Sequence, residues 1–110
     1  MNDLPRAPVP SDRPVVLDCG MGREIARRGV ENREDIWSTN ALMVAPEVVR
    51  QRHIDCIRAG ADIIITDTYS VVRSYLALAG IEDRFEELSR TAQPARQSGR
   101  RARRRAARVC

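Results

Sequence analysis

Two short apolar runs stand out from the otherwise mixed pattern of the chain. Residues 15–17 read Val-Val-Leu directly after Pro14, and residues 63–65 are three consecutive isoleucines. Runs rich in β-branched residues predict strands, and an unbroken apolar run is typical of a strand buried on both faces. We therefore predict a first strand over residues 15–17 and a second, doubly buried strand over residues 61–68.

The remaining apolar positions recur every three or four residues, which predicts helices. These helices are expected over residues 22–28, 39–44, 46–59, 70–79 and 81–92. The predicted inward face of the fourth carries Val72, Tyr75, Leu76 and Ala79. Gly29, Gly60 and Gly80 follow three of them in the position that commonly takes left-handed geometry, and Ser38 is placed to cap the second. Two strands joined by a helical crossover predict a parallel βαβ unit and an α/β fold.

The helix over residues 46–59 has two contrasting faces. Its predicted inward face carries Val49, His53, Cys56 and Ile57, and its predicted solvent face carries Arg50, Arg52, Asp55 and Arg58. On this pattern, His53 is interpreted as a packed, hydrogen-bonded core histidine rather than a metal ligand. Cys56 is interpreted as a small core residue.

Charge divides the chain into two parts. Residues 1–93 hold 12 arginines and all 15 acids, whereas residues 94–110 hold 7 arginines and no acid, so the total of +4 comes from the tail. A third strand is expected after residue 93, but the tail lacks apolar periodicity and Val109 alone cannot supply it. We predict three segments: a Pro-rich extension (1–13), an α/β portion (14–93) and a basic, disordered or helical tail (94–110).

Two explanations of this tail stay open. GC-rich DNA read in a shifted frame after about Thr91 would yield such Arg- and Ala-rich sequence. Alternatively, the tail is a genuine basic arm that binds nucleic acid through phosphates. No signal peptide, transit helix or membrane span is visible, so a cytoplasmic location is the default expectation. The three cysteines include no C-x-x-C pair, which indicates neither a disulfide framework nor a zinc ribbon.

The first strand ends in a candidate site. Asp18 follows it directly, and Gly20 and Gly22 precede the first helix. A carboxylate at the carboxyl end of a parallel strand commonly faces a ligand, and glycines let backbone approach that ligand closely. Asp18 could equally cap the helix that follows. The residues alone leave both interpretations open.

Several blocks in order resemble the homocysteine S-methyltransferase family, over roughly residues 14–92. The first strand and its loop, residues 16–22, resemble the family's Asp-Gly-Gly-Met-Gly motif, and residues 66–69 resemble its Thr-Asn-Thr-Tyr motif. The blocks between them are residues 26–29, 37–38, 41–42 and 46–50, His53, and residues 59–64. An ordered series of this kind is far more specific than one short motif.

The resemblance implies a zinc-dependent (β/α)8 barrel that transfers a methyl group from a donor to the homocysteine thiolate, giving methionine. This chain would supply only its first βα units, because such barrels take about 250 residues. By the same resemblance, the substrate-binding residues are Asp18, Gly20, Met21, Thr66 and Thr68. The threonines could instead be simple strand formers, and Met21 a packing residue.

The chain also departs from the family. Cys19 replaces a glycine, Arg23 a threonine and Asp67 an asparagine, so the loop could be strained and the charge beside the pocket altered. The resemblance implies zinc bound by three cysteines late in the barrel, and this chain contains none of those ligands. We therefore expect no catalytic or metal-binding residues here and no methyltransferase activity from this polypeptide alone. The alternative function is a small nucleic-acid-binding protein acting through its tail.

Overall fold

The computed structural model describes residues 12–93 and the backbone of residues 108–109. In chain order, the elements are α1 (Met21–Arg27), α2 (Thr39–Val44), α3 (Pro46–Arg58), β1 (Ile63–Ile64), α4 (Arg73–Leu78), a 3-10 turn (Glu82–Arg84), α5 (Phe85–Ala92) and β2 (Arg108–Val109). No helix among the described residues is both long and apolar enough to cross a membrane. The architecture is helix-rich, with a small patch of parallel strand pairing.

The strand pairing is parallel, as the sequence predicts. Leu17 forms an isolated parallel bridge with Ile63. Beside it, the Asp18 amide donates to the Ile63 carbonyl at 3.1 Å, and the Asp62 amide donates to the Val16 carbonyl at 2.8 Å. The chain from residue 18 to residue 62 is therefore a helical crossover between parallel segments.

On its other edge, β1 pairs in parallel with β2. Ile63 lies opposite Arg108, and Ile64 lies opposite Val109. Val109 does not form this strand alone but together with Arg108, since ladder pairing uses the backbone N–H and C=O groups and needs no apolar run. The other expectations for residues 94–107, a disordered or helical tail among them, fall outside the described residues.

The strands are shorter and more exposed than predicted. Only Ile63 and Ile64 of the expected 61–68 segment are paired as a strand, and Ile64 is buried while Ile65 is 48% exposed. Val15, Val16 and Leu17 are also exposed. The predicted burial on both faces is wrong for the described residues because helices pack against only part of the strand surface.

The core is formed mainly by helices packing on one another. Helix α2 contacts both α3 and α5, and α1 contacts α3. The buried apolar cluster consists of Ile25, Ile36, Ala41, Leu42, Val49, Val71, Leu76, Leu88 and Ala92. These residues are contributed by every helix and by the loops beside them, so the helical layer holds the strand ends in place.

The glycine stops are confirmed, but two other helix predictions are wrong. Gly29, Gly60 and Gly80 have positive φ values of 86°, 110° and 74°. Ser38, expected to cap α2, makes no side-chain capping bond. In α4, Leu76 is buried as expected, whereas Tyr75 on the predicted inward face is 44% exposed.

Candidate functional site

The two strand ends meet at one edge of the pairing, as expected for parallel segments. Asp18 follows the Leu17 bridge, and Ile65 follows β1. The Ile65 amide donates a hydrogen bond to Asp18 Oδ2 at 3.1 Å. This bond connects the predicted site residue on the first segment with the segment that leads into Thr66 and Thr68.

Asp18 is not the cap of α1. The helix begins at Met21 with Gly20 preceding it, and no side chain caps it. The Asp18 carboxylate is instead fully buried and forms an ion pair with Arg52, whose side chain is also fully buried. Asp18 Oδ1 has no hydrogen-bond partner among the described residues. A buried carboxylate oxygen without a partner is uncommon and requires an explanation.

Arg52 is the site residue that the sequence pattern missed. Its predicted place on the solvent face of α3 is wrong, since the residue is 0% exposed. Besides the Asp18 carboxylate, the guanidinium donates to the Cys19 carbonyl. Burial lowers the pKa of Arg52, but the hydrogen bond and the charge of Asp18 together raise it by more than burial lowers it. The net shift of the pKa is upward, and the group stays cationic.

His53 adjoins this pair on α3 and is neutral at physiological pH. It is 2% exposed, as the core interpretation predicts. Burial and, next, the positive charge of Arg52 lower its pKa to about 4. Its Nδ1 lies 3.5 Å from Arg52 Nη1, and its Nε2 has no partner among the described residues. Nδ1 is therefore placed as an acceptor for the guanidinium.

A second buried carboxyl group lies just after β1. Asp67 is 3% exposed, and its Oδ1 accepts a 2.5 Å hydrogen bond from Ser38 Oγ. Burial raises the pKa of Asp67, an effect that the Ser38 bond and then the Arg52 charge partly oppose. Asp67 Oδ2 and the hydroxyl of buried Ser70 have no partner among the described residues. Ser38 is therefore used to hold Asp67 rather than to cap α2.

The other predicted substrate-binding residues occupy the same two loops. The hydroxyls of Thr66 and Thr68 lie 2.9 Å apart. Met21 is half-buried and packs against the apolar cluster. Gly20 has a φ of −57°, and a Cβ placed there would meet nothing within 4 Å, so the described residues do not themselves require glycine at this position.

Cys19 replaces a family glycine without backbone strain. Among the described residues other than glycine, positive φ occurs at Trp37 and not at Cys19. The Cys19 side chain faces α3, where its sulfur lies 4.0 Å from Cys56 Sγ and 3.7 Å from Arg52 Nη2. Arg23, the second departure, is exposed on α1.

The comparison with protein families decides the ancestry of this site. The family model described as homocysteine S-methyltransferase matches residues 15–110. This chain belongs to the homocysteine S-methyltransferase family. The motifs in the sequence resemble the family only over residues 14–92, whereas the family model also matches the basic tail, up to residue 110.

Relatives within the family are about one-third identical to the chain over the aligned segment. The selenocysteine methyltransferase of Astragalus bisulcatus is 34% identical over 88 residues, which cover 78% of this chain and 26% of that protein. The homocysteine S-methyltransferase of Escherichia coli is 33% identical over 69 residues, which cover 63% and 22% respectively. The chain thus spans about a quarter of the length of these family members.

A solved structure agrees with this assignment. The crystal structure of the Escherichia coli homocysteine methyltransferase MmuM, in its oxidized form, superposes with a TM-score of 0.67 at 31% identity. The superposition covers 81% of this chain and 30% of MmuM. The described residues therefore share the fold of one part of a larger homocysteine methyltransferase.

Proposed function

We propose that this chain is the N-terminal part of a homocysteine S-methyltransferase and supplies one side of its amino-acid pocket. The parallel pairing of residues 17 and 63 and the crossover between them support its assignment to the first βα units of a (β/α)8 barrel. Its coverage of about a quarter of its relatives supports a truncated portion. The intact enzyme would act on homocysteine and a methyl donor in the cytoplasm.

The observation that carries this proposal is the free oxygen of Asp18. The carboxylate is buried at a strand end, Oδ2 is occupied by Arg52 and the Ile65 amide, and Oδ1 has no partner among the described residues. An ammonium group would satisfy that oxygen with a charge-assisted hydrogen bond. We assign Asp18 Oδ1 as the acceptor for the amino group of the substrate.

The remaining predicted residues have supporting parts in this proposal. The Thr66 and Thr68 hydroxyls, 2.9 Å apart, can together donate to and accept from polar groups of the amino acid. Gly20 and Met21 contribute the backbone of the loop that follows Asp18. Burial raises the pKa of Asp67, and the Arg52 charge is near enough to oppose that rise in part, so Asp67 adds a second carboxyl group to the same region.

The zinc ion that the family implies does not fit the described residues. No group of three or more His, Cys, Asp or Glu side chains there could hold a metal ion. Cys19 and Cys56 offer only two sulfurs, and the Arg52 guanidinium 3.7 Å from Cys19 Sγ would repel a second cation. We expect the chain alone to transfer no methyl group.

A chimera tests the proposal. Residues 1–110 would replace the corresponding N-terminal segment of the Escherichia coli enzyme, and methionine formation from homocysteine would be measured. We expect measurable activity, because the segment supplies an equivalent pocket wall to a barrel that retains its own metal ligands. A chimera that is folded and binds zinc but has no activity at any homocysteine concentration would contradict the proposal.

A double variant separates binding from folding. Asp18→Asn alone would leave Arg52 as an unpaired buried charge, so any loss of activity could reflect instability. Asp18→Asn combined with Arg52→Gln removes both charges, and we expect the chimera to remain folded while its KM for homocysteine rises at least about tenfold. Asp12→Asn, at an exposed site, is the matched control and should leave KM unchanged.

The nucleic-acid alternative stays a prediction about residues 94–110. No contact of the described residues favours it. Deletion of residues 94–110 followed by binding measurements across a range of salt concentrations tests it, since phosphate contacts give strongly salt-dependent affinity. An unchanged affinity after the deletion would contradict this alternative.

A further inference from the structure

The proposed function leaves Cys19 and Cys56 without a role, yet the fold brings them together. They are 37 residues apart in sequence, and their sulfurs lie 4.0 Å apart. Cys19 is exposed and Cys56 is half-buried, and both are free thiols. A disulfide bond is about 2.05 Å long, so a shift of about 2 Å between a loop and a helix would close it.

We propose that Cys19 and Cys56 form a reversible disulfide that connects the loop after the first strand to α3. The pair is a modification site in which the exposed thiol meets the oxidant and the half-buried thiol resolves the intermediate. A hydroperoxide is the chemical class of oxidant that fits this arrangement, because it needs access to only one of the two sulfurs.

The surroundings of the two sulfurs favour this division of roles. Cys19 is the exposed sulfur of the pair, which an oxidant can reach from solvent, and its Sγ lies 3.7 Å from Arg52 Nη2. Burial raises the pKa of Cys56, which keeps that sulfur protonated until an intermediate forms beside it. Cys19 is therefore the attacking residue and Cys56 the resolving residue.

The reaction balances with one hydroperoxide for each disulfide. With hydrogen peroxide, the Cys19 sulfur attacks one peroxide oxygen and gives up its thiol proton, the O–O bond breaks, and the sulfur becomes a sulfenic acid while the other oxygen leaves as hydroxide and is protonated to water. Cys56 sulfur then attacks Cys19 sulfur, the S–O bond breaks, and the released oxygen takes the thiol proton and leaves as a second water. The two thiols lose two electrons, and the peroxide gains them.

Closure of this bond would change the neighbouring pocket. The Cys19 carbonyl accepts a hydrogen bond from Arg52, and the next residue toward the N-terminus is Asp18. A shift of about 2 Å in the Cys19 side chain would therefore displace the backbone that positions the Asp18 carboxylate. Oxidation would couple the redox state of the thiols to the geometry of the Asp18–Arg52 pair.

Oxidation of the 110-residue chain carrying Cys110→Ser tests the proposal. Equimolar hydrogen peroxide is added, and mass spectrometry follows the loss of two hydrogen atoms and identifies the tryptic peptides that become linked. We expect a Cys19–Cys56 bond that forms at least about tenfold faster in the native chain than in guanidinium, because the fold pre-positions both sulfurs. Equal rates in the two conditions, or thiols that stay free, would overturn the proposal.

Two further variants assign the roles of the sulfurs. With Cys56→Ser, we expect the sulfenic acid at Cys19 to accumulate and to be trapped by dimedone. With Cys19→Ser, we expect no comparable product at Cys56. Circular dichroism verifies that each variant is folded. More dimedone adduct at Cys56 in the Cys19→Ser variant than at Cys19 in the Cys56→Ser variant would overturn the assignment.

Discussion

The neutral imidazole of His53 makes stability depend on pH. Its pKa is about 4 in the folded chain, against an ordinary value of 6.5, so the unfolded chain binds this proton more readily. The contribution of neutral His53 to the free energy of unfolding is therefore fully present above pH 6.5 and is lost as the pH falls toward 4. We expect a loss of about 3 kcal/mol from this group over that range.

Urea unfolding at a series of pH values measures this effect. His53→Asn is the matched variant, because its amide oxygen can accept from Arg52 in place of Nδ1 and does not titrate. Between pH 7 and pH 4, the free energy of unfolding of the variant should fall by about 3 kcal/mol less than that of the parent chain. Parallel pH profiles for the two proteins would contradict a buried neutral histidine.

Asp67 has the opposite pH dependence. Burial raises the pKa of Asp67, so the folded chain binds this proton more readily than the unfolded chain. The carboxyl group therefore favours folding when it is protonated and opposes folding when it is ionised at neutral pH. We expect Asp67→Asn, which retains an oxygen for the Ser38 hydroxyl, to stabilise the fold by about 1–2 kcal/mol at pH 7. Thermal melts should show no gain near pH 3, and a destabilised variant at pH 7 would refute the prediction.

The sequence predicts a site at Asp18 but not the partners of the buried charges. A polar residue at a strand end is visible in the local pattern, as are the loop residues around it. Arg52 reaches Asp18 across 34 residues, and Ser38 reaches Asp67 across 29. Such pairs depend on how α3 and α2 pack, and helical periodicity gives no sign that an arginine beside the apolar face is buried with a counter-ion.

The loops between helices depend on backbone geometry that glycine permits. Gly29 ends α1 with a φ of 86°, while a Cβ added there would meet nothing within 4 Å. Gly29→Ala should therefore cost about 1 kcal/mol through backbone strain alone.

Gly20→Ala is the matched control for this substitution. Gly20 has an ordinary φ of −57° and equally open space, so alanine there should be neutral or slightly stabilising. Chemical denaturation of both variants measures the difference. Equal destabilisation by the two substitutions would show that backbone conformation is not the cause.

Helices are predicted better than strands in this chain. Helix α3 begins at Pro46 as the sequence indicates, since proline suits a first turn, and Gly60 stops it with a left-handed conformation. Strand lengths depend on neighbouring strands, and the Ile65 side chain is exposed because the described residues do not cover it. The local pattern of residues 61–68 carries no information about whether those neighbours exist.

The molecule as a whole leaves many large apolar side chains uncovered. They include Val16, Leu17, Ile65, Tyr69 and Leu78, with exposures from 47% to 87%. Exposed apolar strand edges promote pairing between chains. We expect the isolated chain to self-associate through the strand segments, and sedimentation velocity measures this association.

Lysine substitutions show which surface of the chain mediates this self-association. Leu17→Lys with Ile65→Lys should shift the chain toward monomer, because charge on an edge opposes strand pairing between molecules. Leu78→Lys, on α4, is the matched control at an even more exposed position and should have a smaller effect. Equal effects of the two changes would place the association surface elsewhere.

The parallel pairing of Val16 with Asp62 also sets the order in which the chain acquires structure. The two residues are 46 positions apart, so their hydrogen bonds form only after the whole crossover has been synthesised and the loop has closed. Helix contacts within the crossover are shorter in range and form on a faster timescale. We therefore expect strand docking to follow helix packing when the chain folds.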